Sequence, residues 1–210
     1  PLAYSGFKYA PAAHGGILLS GLQPFLINAV AWLLAGTRPN RVRAAGLALI
    51  GAGIACAAMP YLTEWSSDYA FGDLLIFLSS VCWAFYGVLA ARWGYSPWTL
   101  TRAIAYGSAA VYLPVYALWL PKELADEPVS MLVIQGAFQG ISATILAMLT
   151  YLKSLELLGP ERTASFLALV PIVIGILAVP LLDEPLTLWL GSGIVLVSLG
   201  SYVASKAGRA

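Results

Sequence analysis

The sequence predicts an all-α protein, a polytopic bundle of transmembrane helices, from its composition, its apolar runs and the spacing within them. Of the 210 residues, 60% are hydrophobic and only 10% are charged, and the mean hydropathy is +0.82. A soluble domain of this length could not bury so much apolar surface. Apolar runs of about 20 residues, long enough to cross a hydrocarbon core of roughly 30 Å, recur along the whole chain. The runs lack the alternation at every second residue that an outer-membrane barrel requires.

One partial span and seven full spans follow in order along the chain. A hydropathy window of about 19 residues gives their positions. The partial span ends near Lys8, most connections are short, and no soluble domain is inserted, so we predict a single membrane domain. The full spans are predicted over residues 12–36, 42–62, 73–92, 98–120, 130–154, 162–182 and 186–205.

Basic residues collect on alternate connections, which predicts the orientation of the spans. Nine of the eleven Lys and Arg residues fall on one side, and only Lys8 and Lys122 on the other. Eight of the ten acids fall on that second side, leaving Glu156 and Glu161 among the basic residues. The positive-inside rule places the basic side in the cytoplasm. We therefore predict a multi-pass protein of the cell (inner) membrane with a cytoplasmic C-terminus.

The start of the chain and its two thiols give further expectations. The sequence begins at Pro1 inside an apolar stretch, without an initiator methionine, so we expect a fragment. Cys56 and Cys82 both lie within apolar runs, and we interpret them as small buried hydrophobic residues rather than a disulfide or a metal site. No Gly-rich phosphate loop or metal-spaced set of His and Cys occurs, so no cofactor, metal or nucleic acid is expected.

The sequence contains an internal repeat: when it is aligned with itself at an offset of 147 residues, part of it matches, as Pro24 does with Pro171. The same offset pairs Gly46 with Gly193 and Gly53 with Gly200. Prolines and glycines at matched depth are harder to obtain by chance than matches between common apolar residues. Five spans, an odd number, separate equivalent points, so the second copy enters the membrane upside down. Inverted repeats of this kind are a recurrent design of secondary transporters, with the substrate site between the copies near the midplane.

Three stretches carry a resemblance to a known family, and together they cover essentially the whole chain: GFKYAPAAHGGILLSGLQPFLINAVAWLLAGTRPNRVRAAGLALIGAG, GDLLIFLSSVCWAFYGVLAARW and SLELLGPERTASFLALVPIVIGILAVPLLDEPLTLWLGSGIVLVSLG. They resemble the drug/metabolite transporter superfamily, specifically its EamA-type members of ten helices in two five-helix repeats. The resemblance implies that residues 1–62 are the C-terminal part of a first repeat, from a partial helix 3 to helix 5. Residues 73–205 would then be the second repeat. Glu184 matches the family's turn glutamate, whereas the first copy carries Thr37 there.

Candidate site residues are neutral, because no Asp, Glu, Lys or Arg lies deep in any predicted span. Such charges are costly in a bilayer and usually functional, so a buried carboxylate proton relay is not expected here. His14, just inside a span near the outer face, either titrates or contacts substrate, or simply lies in the interface. Gln135, Gln139 and Ser142 share one helix face, which either lines a cavity or makes interhelical hydrogen bonds.

The first copy offers a second set of polar candidates around a predicted helix break. Gln23 and Asn28 flank Pro24, whose counterpart is Pro171, and a proline frees a backbone carbonyl that must find another partner. Both side chains are candidates for substrate contact. Trp83 and Tyr86 form either an aromatic wall of the cavity or part of the packed core. We predict that Gln23 and Gln139 line one central cavity.

These observations predict a secondary transporter, not an enzyme, that moves a small organic metabolite or drug by alternating access, with export as the implied direction. A membrane-embedded enzyme would need a catalytic pair at one depth, and none is visible in the sequence. A passive channel or scaffold subunit is the other alternative. The expected partners are the lipid bilayer and a small-molecule substrate, and a homodimer stays an open alternative.

Overall fold

A computed structural model describes residues 2–10, 16–36, 38–59, 67–119, 128–170, 172–173, 176–177 and 188–206, and every regular element within these ranges is a helix. The all-α prediction is therefore confirmed. Two segments of the described residues are π-helices, π1 (Gly16–Gly21) and π2 (Phe138–Leu146). The α-helices are α1 (Leu2–Gly6), α2 (Gln23–Ala35), α3 (Arg41–Ala58), α4 (Ser67–Trp93), α5 (Pro97–Trp119), α6 (Val129–Ala137), α7 (Ala147–Leu158), α8 (Pro160–Leu167) and α9 (Leu188–Lys206).

Three helical stretches in the described ranges are long and apolar enough to cross a membrane by length and composition. They cover Leu18–Ala35, Tyr69–Trp93 and Val129–Leu158. The last of these is a continuous helix in which α6, π2 and α7 follow one another without a break. Helices also occupy the described parts of the other predicted full spans, and their passage through the membrane stays a prediction.

Local sequence signals explain several helix ends. Gly36 closes α2 in a left-handed conformation (φ 68°), and its N–H donates to the Trp32 carbonyl at 2.8 Å. The side chain of Asn40 accepts a hydrogen bond from the Arg43 N–H at 2.9 Å and so caps the start of α3. The end of α2 and the start of α3 therefore each lie within one residue of the predicted limits. In contrast, α4 begins six residues before its predicted start, which leaves Asp73 inside the helix.

The described residues form two compact units, a first unit of Pro1–Leu89 with Leu158–Ala210 and a second unit of Ala90–Leu157. The first unit contains two apolar clusters. One joins α2, α4 and α8 through buried residues Ile27, Val30, Ala31, Ala84, Val88 and Ala164. The other joins α3 and α9 to the chain just after α8 through Ile50, Ile54, Ala168, Ile172, Val197 and Ala204.

Helices α3 and α9 approach each other so closely that glycines are required along their seam. A methyl group added to Gly53 would lie 2.9 Å from the carbonyl oxygen of Gly193, and one added to Gly200 would lie 2.7 Å from the carbonyl oxygen of Gly46. Since the offset of 147 exchanges 53 with 200 and 46 with 193, these two contacts are each other's counterparts. Such reciprocal contacts are what a two-fold relation between the copies produces.

The centre of the same seam carries residues that are counterparts of one another. Ile50 and Val197 are 147 residues apart, and both are fully buried in the cluster between α3 and α9. A Cβ added to Gly200 would lie 2.7 Å from the backbone nitrogen of Ile50. In the same way, a Cβ added to Gly53 would lie 2.8 Å from the backbone nitrogen of Val197. The pseudo-two-fold axis therefore passes through the seam between Ile50 and Val197.

The second unit contains the C-terminal end of α4, α5 and the long helix from α6 towards the end of α7. Within π2, the hydroxyl of Thr144 donates to the carbonyl of Gln139 five residues earlier, at 2.6 Å. The side chains of the span from Val129 to Leu158 are largely exposed in the described residues, with Ile134, Phe138 and Ile141 each more than half exposed. The long helix of this unit is therefore apolar over most of its surface.

Candidate functional site

A buried polar cluster joins the start of α2 to the middle of α4. The amide of Gln23 donates from Nε2 to the backbone carbonyl of Ser80 at 3.2 Å, and the hydroxyl of Ser80 donates to the carbonyl of Leu18 at 2.5 Å. Gln23 is 1% exposed and Ser80 is fully buried. Leu18 lies within π1, so the cluster connects the π-helix, the α2 start and α4. We call Gln23, Ser80 and the Leu18 carbonyl the glutamine cluster.

The hydrogen bond to Ser80 fixes which way the Gln23 amide points. A carbonyl oxygen can only accept, so the NH₂ group must face Ser80 and the Oε1 atom must point away from it. Oε1 is buried and has no hydrogen-bond donor among the described residues. A buried acceptor without a donor costs about 1–3 kcal/mol. The glutamine cluster therefore presents an acceptor that a donor from water or a bound molecule would satisfy.

Asn28 and Pro24 lie one turn apart on the same helix. The Nδ2 of Asn28 donates to the Pro24 carbonyl at 2.7 Å, and both residues are buried. Pro24 occupies the first turn of α2, where its missing N–H removes no helical hydrogen bond. Pro24 thus marks the junction between π1 and α2, and Asn28 has a local hydrogen bond within α2.

The aromatic candidates are brought together on α4, one turn after Ser80. The ring centroids of Trp83 and Tyr86 are 5.7 Å apart and the planes are inclined by 52°. Trp83 is 36% exposed, whereas the hydroxyl oxygen of Tyr86 is buried and has no partner among the described residues. The pair borders the buried face of α4 that contains Ser80 and Ala84.

In the second unit, Gln135, Gln139 and Ser142 lie on the continuous helix through α6 and π2. All three are exposed in the described residues, on a helix that is otherwise apolar. Gln139 and Ser142 lie within π2, and Gln135 lies three residues before it. π-helical turns are rare and frequently occur at functional sites. His14 and Pro171 lie outside the described residues.

The two acids on the predicted basic side of the membrane, Glu156 and Glu161, each form an ion pair. Glu161 in α8 lies 3.8 Å from the Arg43 guanidinium in α3, and Glu156 lies 3.0 Å from Lys153 in the same turn of α7. Arg43 is 8% exposed, whereas Lys153 and Glu156 are both about half exposed. Sequence reasoning counted these acids as exceptions and did not predict that each has a basic partner.

Neither the cavity of the second unit nor the described His, Cys, Asp and Glu side chains form a second candidate site. An open cavity of about 370 Å³ in the second unit lies beside the α4–α5 connection and is lined by Tyr95, Ser96, Lys153 and Glu156 among others. Its charged residues already pair with each other, so it offers little net charge to a ligand. In the part of the chain that the structure describes, no three His, Cys, Asp or Glu side chains are grouped to hold a metal ion.

Comparison with known proteins gives a consistent result. Residues 70–206 match the family described as the EamA-like transporter family. The chain is 28% identical to "Uncharacterized transporter YyaM" of Bacillus subtilis, over 97% of this chain and 68% of that protein. It is 25% identical to an "Uncharacterized transporter" of Archaeoglobus fulgidus, over 96% of this chain and 70% of that protein. A solved crystal structure superposes with a TM-score of 0.75 at 22% identity, over all of this chain and 72% of that one.

Proposed function

Because the chain belongs to the EamA-like transporter family, we propose that it forms part of a secondary carrier that moves a small organic metabolite or drug by alternating access. The family makes it a multi-pass membrane transporter in general terms. The proposal adds the carrier mechanism, the class of solute, the inner membrane and the direction, which is export as the family resemblance implies.

The observation that best supports a solute site is the buried acceptor of Gln23. An apolar bundle places an amide oxygen where the described protein supplies no donor, at the junction of π1 and α2. A solute with an amine or hydroxyl group would satisfy this oxygen. Trp83 and Tyr86, on the helix that Gln23 contacts, offer an apolar surface for the remainder of such a solute.

Counterflow in proteoliposomes tests the carrier mechanism. A solute would first be identified as a metabolite whose export rises when the full-length gene is overexpressed and falls when the gene is deleted. Saturable uptake of labelled solute that is accelerated by unlabelled solute inside the vesicles is then expected. Unsaturable flux without acceleration would indicate a channel, and chemical conversion of the solute would indicate an enzyme.

Gln139→Leu and Gln23→Leu are each expected to weaken solute binding while leaving insertion intact. The loss of one hydrogen bond costs about 0.5–1.5 kcal/mol, which corresponds to roughly a threefold to tenfold rise in the half-saturating solute concentration. Initial rates of counterflow against solute concentration measure the effect. Thr150→Val on α7 is the matched control, because its hydroxyl bonds within the helix at an exposed position. Unchanged affinity and rate in both glutamine variants would contradict the predicted shared cavity.

The proposed orientation predicts that position 41 faces the cytoplasm and positions 127 and 183 face outward. Single cysteines at these positions, in a protein lacking Cys56 and Cys82, can be treated with an impermeant maleimide in intact cells. Labelling is expected at 127 and 183, and at 41 only after the membrane is permeabilised. The reverse pattern would show that the charge segregation had been assigned to the wrong sides.

A further inference from the structure

The Arg43–Glu161 ion pair joins helices of the two different copies. Arg43 lies in the first turn of α3 in the first copy, and Glu161 lies in the first turn of α8 in the second. Their charged groups are 3.8 Å apart, and the two side chains are 10% and 21% exposed. The distance indicates a charge contact rather than a short hydrogen bond. The pair therefore connects elements that must change their relative position if the copies move against each other.

The two helix ends differ in how well they accept these charges. The N-terminus of a helix carries a partial positive charge, which favours Glu161 at the start of α8 and disfavours Arg43 at the start of α3. A cation that is both largely buried and at a helix N-terminus needs a compensating anion. Glu161 supplies it across the copies, whereas the exposed Lys153–Glu156 pair connects residues within α7 only.

The offset between the copies shows that this pair has no charged equivalent. Positions 43 and 161 correspond to positions 190 and 14, which carry Leu190 and His14 in the sequence. A leucine has no charge to offer a histidine, whatever the protonation state of the imidazole. A two-fold relation brings the two mirrored conformations of an inverted repeat close in energy, and differences between the copies decide which of them is favoured. An ion pair present at one of two equivalent positions favours the conformation in which it is formed.

We propose that Arg43 and Glu161 form a latch that holds the two copies together at the α3 and α8 N-termini and so favours the state closed on that side. The inference rests on the proposed alternating access. The helices α2 and α8 also meet in one apolar cluster, to which Ala31 near the end of α2 and Ala164 near the start of α8 both contribute as buried residues. Opening would separate the charges and expose this apolar contact.

A thiol placed in the closed contact reports the latch without any solute. The native cysteines of the full-length protein are removed, and Ala31→Cys supplies a single new thiol. The protein is then treated with an impermeant maleimide in right-side-out and in inside-out vesicles. Removing both charges, with Arg43→Gln and Glu161→Gln together, avoids leaving a lone buried charge that would disturb the fold. The matched control is Lys153→Gln with Glu156→Gln, which removes the same charges from the exposed pair.

The neutral Arg43/Glu161 variant is expected to be labelled at position 31 roughly threefold to tenfold faster, from the face on which a cysteine at position 41 is labelled. This range corresponds to a change of about 0.7–1.4 kcal/mol in the equilibrium between the closed and open states. The control variant should be labelled at the unsubstituted rate. Exchanging the charges, with Arg43→Glu and Glu161→Arg, should return labelling towards that rate, because the attraction is restored.

Equal labelling of the neutral variant and the Lys153/Glu156 control would overturn the latch. Fast labelling of the exchanged variant would also overturn it, because the effect would then come from disturbed packing and not from charge. Fluorescence-detected size exclusion separates a folded variant from a misfolded one. If the neutral variant misfolds, Arg43→Glu alone repeats the test, because it replaces the attraction with a repulsion and should speed labelling at position 31. Changed labelling in a protein without carrier-type counterflow would contradict the proposed function, while still showing that the Arg43–Glu161 pair holds this contact closed.

Discussion

Gly200→Ala is expected to destabilise the transporter, although alanine is normally the better helix former. The new Cβ would lie 2.7 Å from the Gly46 carbonyl oxygen and 2.7 Å from the Ile50 backbone N. Backbone atoms of α3 cannot rotate aside, so the two helices must separate. Overpacking of this kind costs about 1–3 kcal/mol. The midpoint of thermal unfolding, followed by fluorescence-detected size exclusion of the full-length protein, should fall.

Gly191→Ala on the same helix provides a control with the opposite expected sign. Among the residues that the structure describes, no atom lies within 4 Å of the Cβ that this substitution adds. Alanine is favoured over glycine in a helix by about 1 kcal/mol, so Gly191→Ala should leave the unfolding midpoint unchanged or raise it. Equal midpoints for the Gly191 and Gly200 variants would mean that α3 and α9 are not packed backbone to backbone.

Ser80→Ala is expected to weaken both the fold and solute binding. The substitution removes the hydroxyl that donates to the Leu18 carbonyl inside a buried cluster. An acceptor left without its donor in an apolar environment costs about 1–3 kcal/mol. The α4 backbone that holds the Gln23 amide would then lose its contact with π1. A lower unfolding midpoint and a higher half-saturating solute concentration should appear together.

Ser192→Ala controls for the loss of a helical serine hydroxyl. Ser192 donates to the Trp189 carbonyl within α9 at an exposed position, where another donor can replace it. Its removal should leave stability and affinity unchanged. A Ser80 variant with lower stability but normal affinity would show that Ser80 holds helices together and does not position Gln23.

The order of the helices could be predicted because apolar runs and their polar connections report burial in a membrane directly. The end of α2 at Gly36 and the Asn40 cap of α3 follow from local backbone chemistry, so sequence signals located them closely. The π-helices were not predicted, because the sequence has the same apolar character whether a turn is α or π. Ser80 was missed for a related reason, since serine is a common small residue between packed membrane helices and its presence alone does not reveal a polar cluster.

Ion pairs between residues far apart in the sequence could not be predicted, although the sequence contains one signal that points to them. Arg43 follows the positive-inside pattern and so gave no sign of being buried. Glu156 and Glu161 contradicted the pattern, and both have basic partners in the structure. The partner of Glu161 depends on helix packing, because Arg43 lies far from it in the sequence, whereas Lys153 lies only three residues before Glu156 in the same helix. The shared cavity of Gln23 and Gln139 stays a prediction for the same reason.

The seam between α3 and α9 has a consequence for the ancestry of the chain. The contact of Gly53 with Gly193 is equivalent to the contact of Gly200 with Gly46. Two identical subunits that face each other in opposite orientations make pairs of equivalent contacts of this kind. Two separate polypeptides, inserted head-up and head-down from one gene, would build the same contact. Fusion of such a gene with its duplicate would fix each half in one orientation. Each half would then be free to acquire its own charges, such as the arginines at Arg41 and Arg43 and the acids at Asp183 and Glu184.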